Sequence, residues 1–199
     1  MNQEVNKFKE IAYTLYPQGL LDRTLEYEET TENQRLKKAL KNKENLSNIL
    51  EEISYEVIST NSFLKFENLS NALLADRCVK GQFYQDINRK GSLFVLISLI
   101  QPYYLVYESS DTYFPKTIGD LNISSNFIKD VNYNSSLLKN IKNIICGKLP
   151  SYNEFPSEYL DVEIDDVTYD GIGSLKVFNQ SKNIFKMTLF NVFFSNNYL

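Results

Sequence analysis

The chain has no histidine and no tryptophan, and only two cysteines among its 199 residues. Without histidine it lacks the usual general base at neutral pH and the commonest zinc ligand, so Ser-His-Asp and Cys-His catalytic sites are excluded. Cys78 and Cys146 stand far apart and outside any CxxC pairing, which excludes a disulfide framework or a thiolate metal cluster. Both are expected to be small buried hydrophobes. No run approaches the ~20 apolar residues of a membrane span. Met1 to Leu15 is polar and amphipathic, without the apolar core of a leader peptide. A cytoplasmic chain with no membrane partner is expected, so Asn-x-Ser triplets at Asn45, Asn68, Asn122, Asn134 and Asn179 read as chance matches in an Asn-rich sequence. Basic charge is short too. Against 25 acidic residues stand 21 basic ones, giving a net charge of −4, and nucleic-acid binding, which requires a basic face, is not expected.

What remains is the composition of a globular protein, 43% hydrophobic and 23% charged, with thirteen Phe and fourteen Tyr as its bulky packing residues. The length fits one domain, enough to bury roughly 70% of the unfolded surface in a core. Val5, Phe8, Ile11, Ala12 and Leu15 recur at helical spacing and predict a helix over 3–16, closed by Pro17 and Gly19. Leu20, Leu21 and Leu25 begin a weaker helical segment, and Thr31 with Gln34 resembles a capping box for the next helix. Leu36, Ala39 and Leu40, then Leu46, Ile49, Leu50, Ile53 and Val57, give apolar faces to helices at about 32–42 and 44–58.

After Thr60 the pattern turns to alternation and short apolar runs. Cys78 to Ile87, Ser92 to Ile100 and Tyr103 to Glu108 predict an antiparallel meander, with turns at Asn88 to Gly91 and at Gln101-Pro102. The middle strand, SLFVLISLI, is apolar on both faces and therefore belongs at the centre with a layer on each side. Ser109 to Tyr133 reads as a loop. Leu137, Leu138, Ile141, Ile144 and Ile145 form a helical stripe near 135–146, with Asn134 or Ser135 as its cap and Gly147 and Pro150 as its end. Strands from Tyr159 to Tyr169 and from Ser174 to Asn179 flank the turn Asp170-Gly171-Ile172-Gly173, and the terminal MTLFNVFF run is too short to assign. The expected fold is α+β in one domain spanning 1–199: a helical layer over 1–58 packed on a mainly antiparallel sheet over 60–199.

Motifs for catalysis are missing. Gly171-Ile172-Gly173 lacks a third glycine and lies between strands, so it is a turn and not a dinucleotide loop. Ser62 to Lys65 and Ser136 to Lys139 match SxxK without the companion β-lactamase motifs. An acid-x-Lys pair, the core of many Mg²⁺-dependent nuclease sites, does not occur. Arg35 to Lys43, RLKKALKNK, reads as a helix lying on the core with cationic edges in water, or as a contact for acidic groups within or between chains.

Acidic charge is concentrated. Between Leu149 and Ser174 there are seven carboxylates, Glu154, Glu158, Asp161, Glu163, Asp165, Asp166 and Asp170, and no lysine or arginine. In DVEIDD the alternate residues Asp161, Glu163 and Asp165 project from one face of a strand while Val162 and Ile164 take the other. Such a row is an ordinary solvated face, a protein-binding face, or a divalent-cation site. A straight strand diverges too little to wrap Ca²⁺, and the EF-hand spacing is missing, so no metal or cofactor is expected. A protein-binding face would add Tyr152, Phe155, Tyr159 and Tyr169 as aromatic anchors.

SLFVLISLIQPYYLVYES and LPSYNEFPSEYLDVEIDDV, followed by GSLKVFN and TLFNVFFSNN, resemble small bacterial immunity proteins of polymorphic-toxin systems, over residues 78–108 and 149–195. The resemblance implies a cytoplasmic α+β binder that occludes a toxin's active site without catalysing anything. The leading expectation is thus a non-catalytic inhibitor of a basic toxin domain, contacting it through Glu158, Asp161, Glu163, Asp165, Asp166, Tyr169 and Asp170. Its rivals are a metal-dependent hydrolase using Asp161, Glu163, Asp165 and Asp166, and a structural or phage-accessory interaction protein.

Overall fold

A computed structural model describes residues 3–20, 24–70, 77–85, 92–109, 135–168 and 186–194. The first helix, α1, runs Gln3–Tyr13 and buries Val5, Phe8 and Ala12 along one stripe. It ends earlier than the expected residue 16 in a tight turn, where Tyr16 N–H donates to Ala12 C=O at 2.9 Å and both Leu15 and Tyr16 stay buried. Gly19 follows at φ +70°, a conformation that costs a side-chain-bearing residue energy.

The second helical segment is only α2, Leu25–Glu28, and it inverts the expected face: Leu25 is 83% exposed while Tyr27 is buried. Four residues make barely one turn, so tertiary contact at Tyr27 decides the orientation. Helix α3, Thr31–Ala39, is capped by Thr30 rather than Thr31, the Thr30 hydroxyl accepting from Asn33 N–H at 3.2 Å. A 3₁₀ turn, Leu40–Asn42, joins it to α4, Lys43–Thr60, whose Leu46, Leu50, Ile53 and Val57 are all buried.

The central sheet has the order β1-β2-β3-β4-β5. Its strands are β1 (Lys65–Asn68), β2 (Cys78–Tyr84), β3 (Ser92–Ser98), β4 (Tyr103–Ser109) and β5 (Asn153–Glu154). The first four pair antiparallel, and β5 joins β4 in parallel, with Tyr104 opposite Glu154. The meander expected from the sequence is β2-β3-β4, and β3 is central and buried throughout. Two strands were not expected: β1, which reads KFEN, and β5, which has two residues.

Alternation along the strands divides the interior into two cores. Leu93, Val95 and Ile97 of β3 and Tyr104 and Val106 of β4 face α4 and helix α5, Ser135–Lys148. Leu137, Leu138, Ile141, Ile144 and Ile145 bring the predicted α5 stripe into that core. Phe94, Leu96, Leu105 and Tyr107 face the opposite way, onto Phe8, Ala12, Leu15 and Tyr16 and onto the C-terminal residues 187–194. The result is one α+β domain in which helices precede the sheet and cover it from both sides. Gly81 sits where a Cβ would come within 2.3 Å of the Phe66 ring, so the ring packs directly on the β2 backbone.

The C-terminal part forms a smaller sheet of β6 (Glu163–Thr168) and β7 (Lys186–Thr188), antiparallel and with an irregular register between Glu163 and Thr168. Helix α6, Leu189–Phe193, begins at a capping box in which Thr188 N–H donates to Asn191 Oδ1 at 2.9 Å and Asn191 N–H to Thr188 Oγ1 at 3.4 Å. The unassignable MTLFNVFF run is therefore strand, cap and helix. Phe190, Phe193 and Phe194 are all buried there. The turns expected at 88–91 and 170–173, the loop from 110 onward and the strand 174–179 lie outside the described residues. Cys78 is buried as expected, but Cys146 on α5 is exposed, with Tyr104 Oη 3.6 Å from its sulfur. No helix among the described residues is long and apolar enough to cross a membrane.

Candidate functional site

The acidic segment is held by a succession of tight turns. Phe155 is buried, Pro156 opens a 3₁₀ turn over Ser157–Tyr159, and Leu160 is buried again. Tyr159 N–H reaches Pro156 C=O at 3.1 Å and Val162 N–H reaches Tyr159 C=O at 3.1 Å. Backbone bonds from Leu189 N–H to Val162 C=O and from Phe190 N–H to Leu160 C=O, each 3.0 Å, fasten the segment to the start of α6. With Phe155, Leu160 and Ile164 fixed in the core, the residues between them, Glu158, Asp161 and Glu163, are exposed.

The expected strand row is thereby shortened. Asp161 lies in the turn ahead of β6, because Leu160 and Val162 are committed to the turn contacts, and only Glu163 and Asp165 alternate on the strand itself. Ile164 is buried beneath them, as the alternation requires, and Val167 is buried as well, within the stretch of irregular register. Asp166 lies on β6 with its side chain outside the described set, and Tyr169 and Asp170 lie outside it altogether.

Helix α1 runs beside this segment. Lys9 Nζ is 3.0 Å from Asp165 Oδ2, the lysine side chain 14% exposed and the aspartate 63%. Tyr159 Oη donates to Glu4 Oε2 at 3.4 Å. The second contact places the exposed carboxylate of Glu4 on α1 beside the segment that carries Glu158, Asp161, Glu163 and Asp165. The sequence window does not reveal the contribution of α1. Among the described residues, Lys9 pairs with Asp165 and Lys142 with Glu154 of the acidic window. In the basic run Arg35 to Lys43, Lys37 pairs with Glu28, and Leu36 lies in the core.

Rings lie under the face rather than on it. Phe8 has Phe155 at 4.8 Å, Tyr103 at 5.6 Å and Phe193 at 5.9 Å between centroids, so Phe155 is core and not a surface anchor. Tyr152 packs against the α4–α5 core, which removes it as an anchor as well. Of the expected aromatics that the structure describes, Tyr159, half-buried, stands at the carboxylates. Burial first, and the Glu4 charge second, push the Tyr103 phenol above its ordinary 10.0. Glu154 does not join the face, since it pairs with Lys142 of α5 at 2.5 Å.

Chemically the arrangement offers charge and shape. Among the described residues no three Asp, Glu, His or Cys side chains are placed to hold a metal ion. Asp161, Glu163 and Asp165 follow one another along a single path, whereas a catalytic cation needs oxygens converging from several elements. No family model matches the chain, and it matches neither a curated protein nor a solved structure.

Proposed function

We propose that this protein is a non-catalytic binding protein of the immunity type, which neutralises a cognate toxin domain by covering its active site. The observation that carries the reading is the docking of α1 against the acidic segment, which sets the exposed carboxylate of Glu4 beside Glu158, Asp161, Glu163 and Asp165. A like-charged face on a packed frame steers a basic partner into register and raises the association rate. Tyr159 at its margin supplies an amphipathic ring, and Asp166, Tyr169 and Asp170 extend the same segment in sequence. The face needs no chemistry of its own, in keeping with a chain that has no histidine.

The test is a binding measurement against the product of the adjacent gene, at low and at high salt, with Asp161→Asn, Glu163→Gln and Asp165→Asn combined. Wild type should bind and protect cells from the partner's toxicity, and the triple variant should bind far more slowly at low salt. Equal binding by both proteins at every salt concentration would remove the face from the interface. Failure to protect would remove the immunity reading.

A further inference from the structure

We propose that the outward face of α3 is a self-association site, at which Arg35 and Lys38 of one copy of this chain meet Glu158 and Asp161 of a second copy. Asn33 and Leu36 are buried on the inner side of α3, while Arg35 and Lys38, one turn apart, are exposed. Lys41 continues the basic face on the 3₁₀ turn after the helix and is exposed as well. Lys37 lies to one side, paired with Glu28, and Gln34 Nε2 donates to the Glu28 carbonyl at 3.1 Å. The helix is thus fixed along its flank and bears its cations toward solvent.

Spacing and charge select the occupant. Tyr159 N–H reaches Pro156 C=O at 3.1 Å and Leu160 N–H reaches Ser157 C=O at 3.3 Å, which winds the segment as a 3₁₀ turn, and in that winding side chains three apart eclipse. Glu158 and Asp161, three apart and both exposed, therefore stand side by side, as Arg35 and Lys38 do on α3. Like charges one turn apart repel. Seating the cationic pair on the anionic pair of a second copy relieves both repulsions, and buried Leu36 and Leu160 anchor the elements that carry them. The two surfaces differ, so the contact is heterologous. It occupies carboxylates that the proposed toxin face also uses, but it does not rest on that reading, since it needs only this chain.

Exposed ion pairs are individually weak, so the experiment is sedimentation of the full chain at millimolar concentration. In ~0.1 M salt the Debye length of about 10 Å screens the repulsion between two bodies of net charge −4 more than it screens pairs in contact. The average mass should rise above 23.1 kDa there, and return to it in ~1 M salt, where that length is about 3 Å. Arg35→Glu combined with Lys38→Glu should lower the association constant by at least about tenfold, and so should Glu158→Lys combined with Asp161→Lys. Mixed in equal amounts, the two variants should associate again, because the reversed charges of one meet those of the other. All four positions are exposed, so each variant should melt close to wild type. A monomeric wild type, association indifferent to salt, variants that associate as wild type does, or a mixture that stays monomeric would each overturn the proposal. So would a monomeric wild type that retains a DNA oligonucleotide which the Arg35→Glu, Lys38→Glu variant releases, since the face would then belong to a polyanion.

Discussion

Arg77 Nε donates to the Tyr16 hydroxyl at 3.0 Å, and that hydroxyl in turn lies 3.3 Å from the carbonyl of Val192. One phenol thus accepts from the residue that precedes β2 and donates to α6, while its ring lies 5.9 Å beneath the guanidinium. Arg77 N–H closes the same junction by donating to Phe194 C=O at 3.0 Å. The beginning, middle and end of the chain meet at Tyr16.

Tyr16→Phe should therefore destabilise the fold by about 1–3 kcal/mol, the cost of leaving buried polar partners unsatisfied without changing ring volume. Urea unfolding should show a lower midpoint at unchanged slope.

Gly81→Ala drives a methyl into the Phe66 ring, where a Cβ has 2.3 Å of room. The expected loss is about 1–3 kcal/mol, as for other overpacked cores. Phe66→Leu in the same chain should return part of it, and a double-mutant cycle would measure the coupling.

Asp165→Asn removes the partner of Lys9 but should cost no more than about 1 kcal/mol, because the aspartate is largely in water. The triple variant with Asp161→Asn and Glu163→Gln should melt close to wild type. Its association rate with the proposed partner should lose most of its salt dependence, read by stopped-flow at two ionic strengths.

The hydrogen bond from Lys37 holds the Glu28 carboxyl below its ordinary 4.5. A depressed folded-state value stabilises the fold above the unfolded value, and that contribution fades as pH falls through the folded one. With Glu28 well exposed the effect should be a few tenths of a kcal/mol. Carbon-detected NMR titration should show the Glu28 carboxyl titrating at lower pH in wild type than in Lys37→Met.

Deleting residues 1–58 should unfold the remainder, since Phe8, Ala12, Leu15 and Tyr16 complete one core and Leu46, Leu50, Ile53 and Val57 the other. Limited proteolysis yielding a stable, cooperatively melting fragment from about residue 60 would contradict this.

Where burial follows a simple period, the structure is legible in the sequence. β3 is apolar on both faces and lies at the centre; α4 and α5 show unbroken stripes. Leu25 misleads because a one-turn helix takes its orientation from elsewhere. Leu189 to Phe194 are buried all round, so no period survives to name the helix, and only the Thr188–Asn191 cap marks it. The carboxylates of 158–165 are visible as a cluster. Their meeting with Glu4 is not, because it depends on long-range docking of α1 through Lys9 and Tyr159.

The division of the interior into two cores has a consequence for synthesis. The core behind α4 and α5 draws on residues 46–149 and can close on the ribosome while the last quarter of the chain is still being made. The other requires Met187 to Phe194. Tyr16 waits for Val192, 176 positions later. Until residues 187–194 emerge, the sheet face of Phe94, Leu96, Leu105 and Tyr107 lacks part of its cover and leaves open an apolar surface of the kind that chaperones bind. A message truncated before the codons for 187–194 would therefore yield half-closed chains, exposed to proteases and prone to aggregation, rather than shortened working proteins.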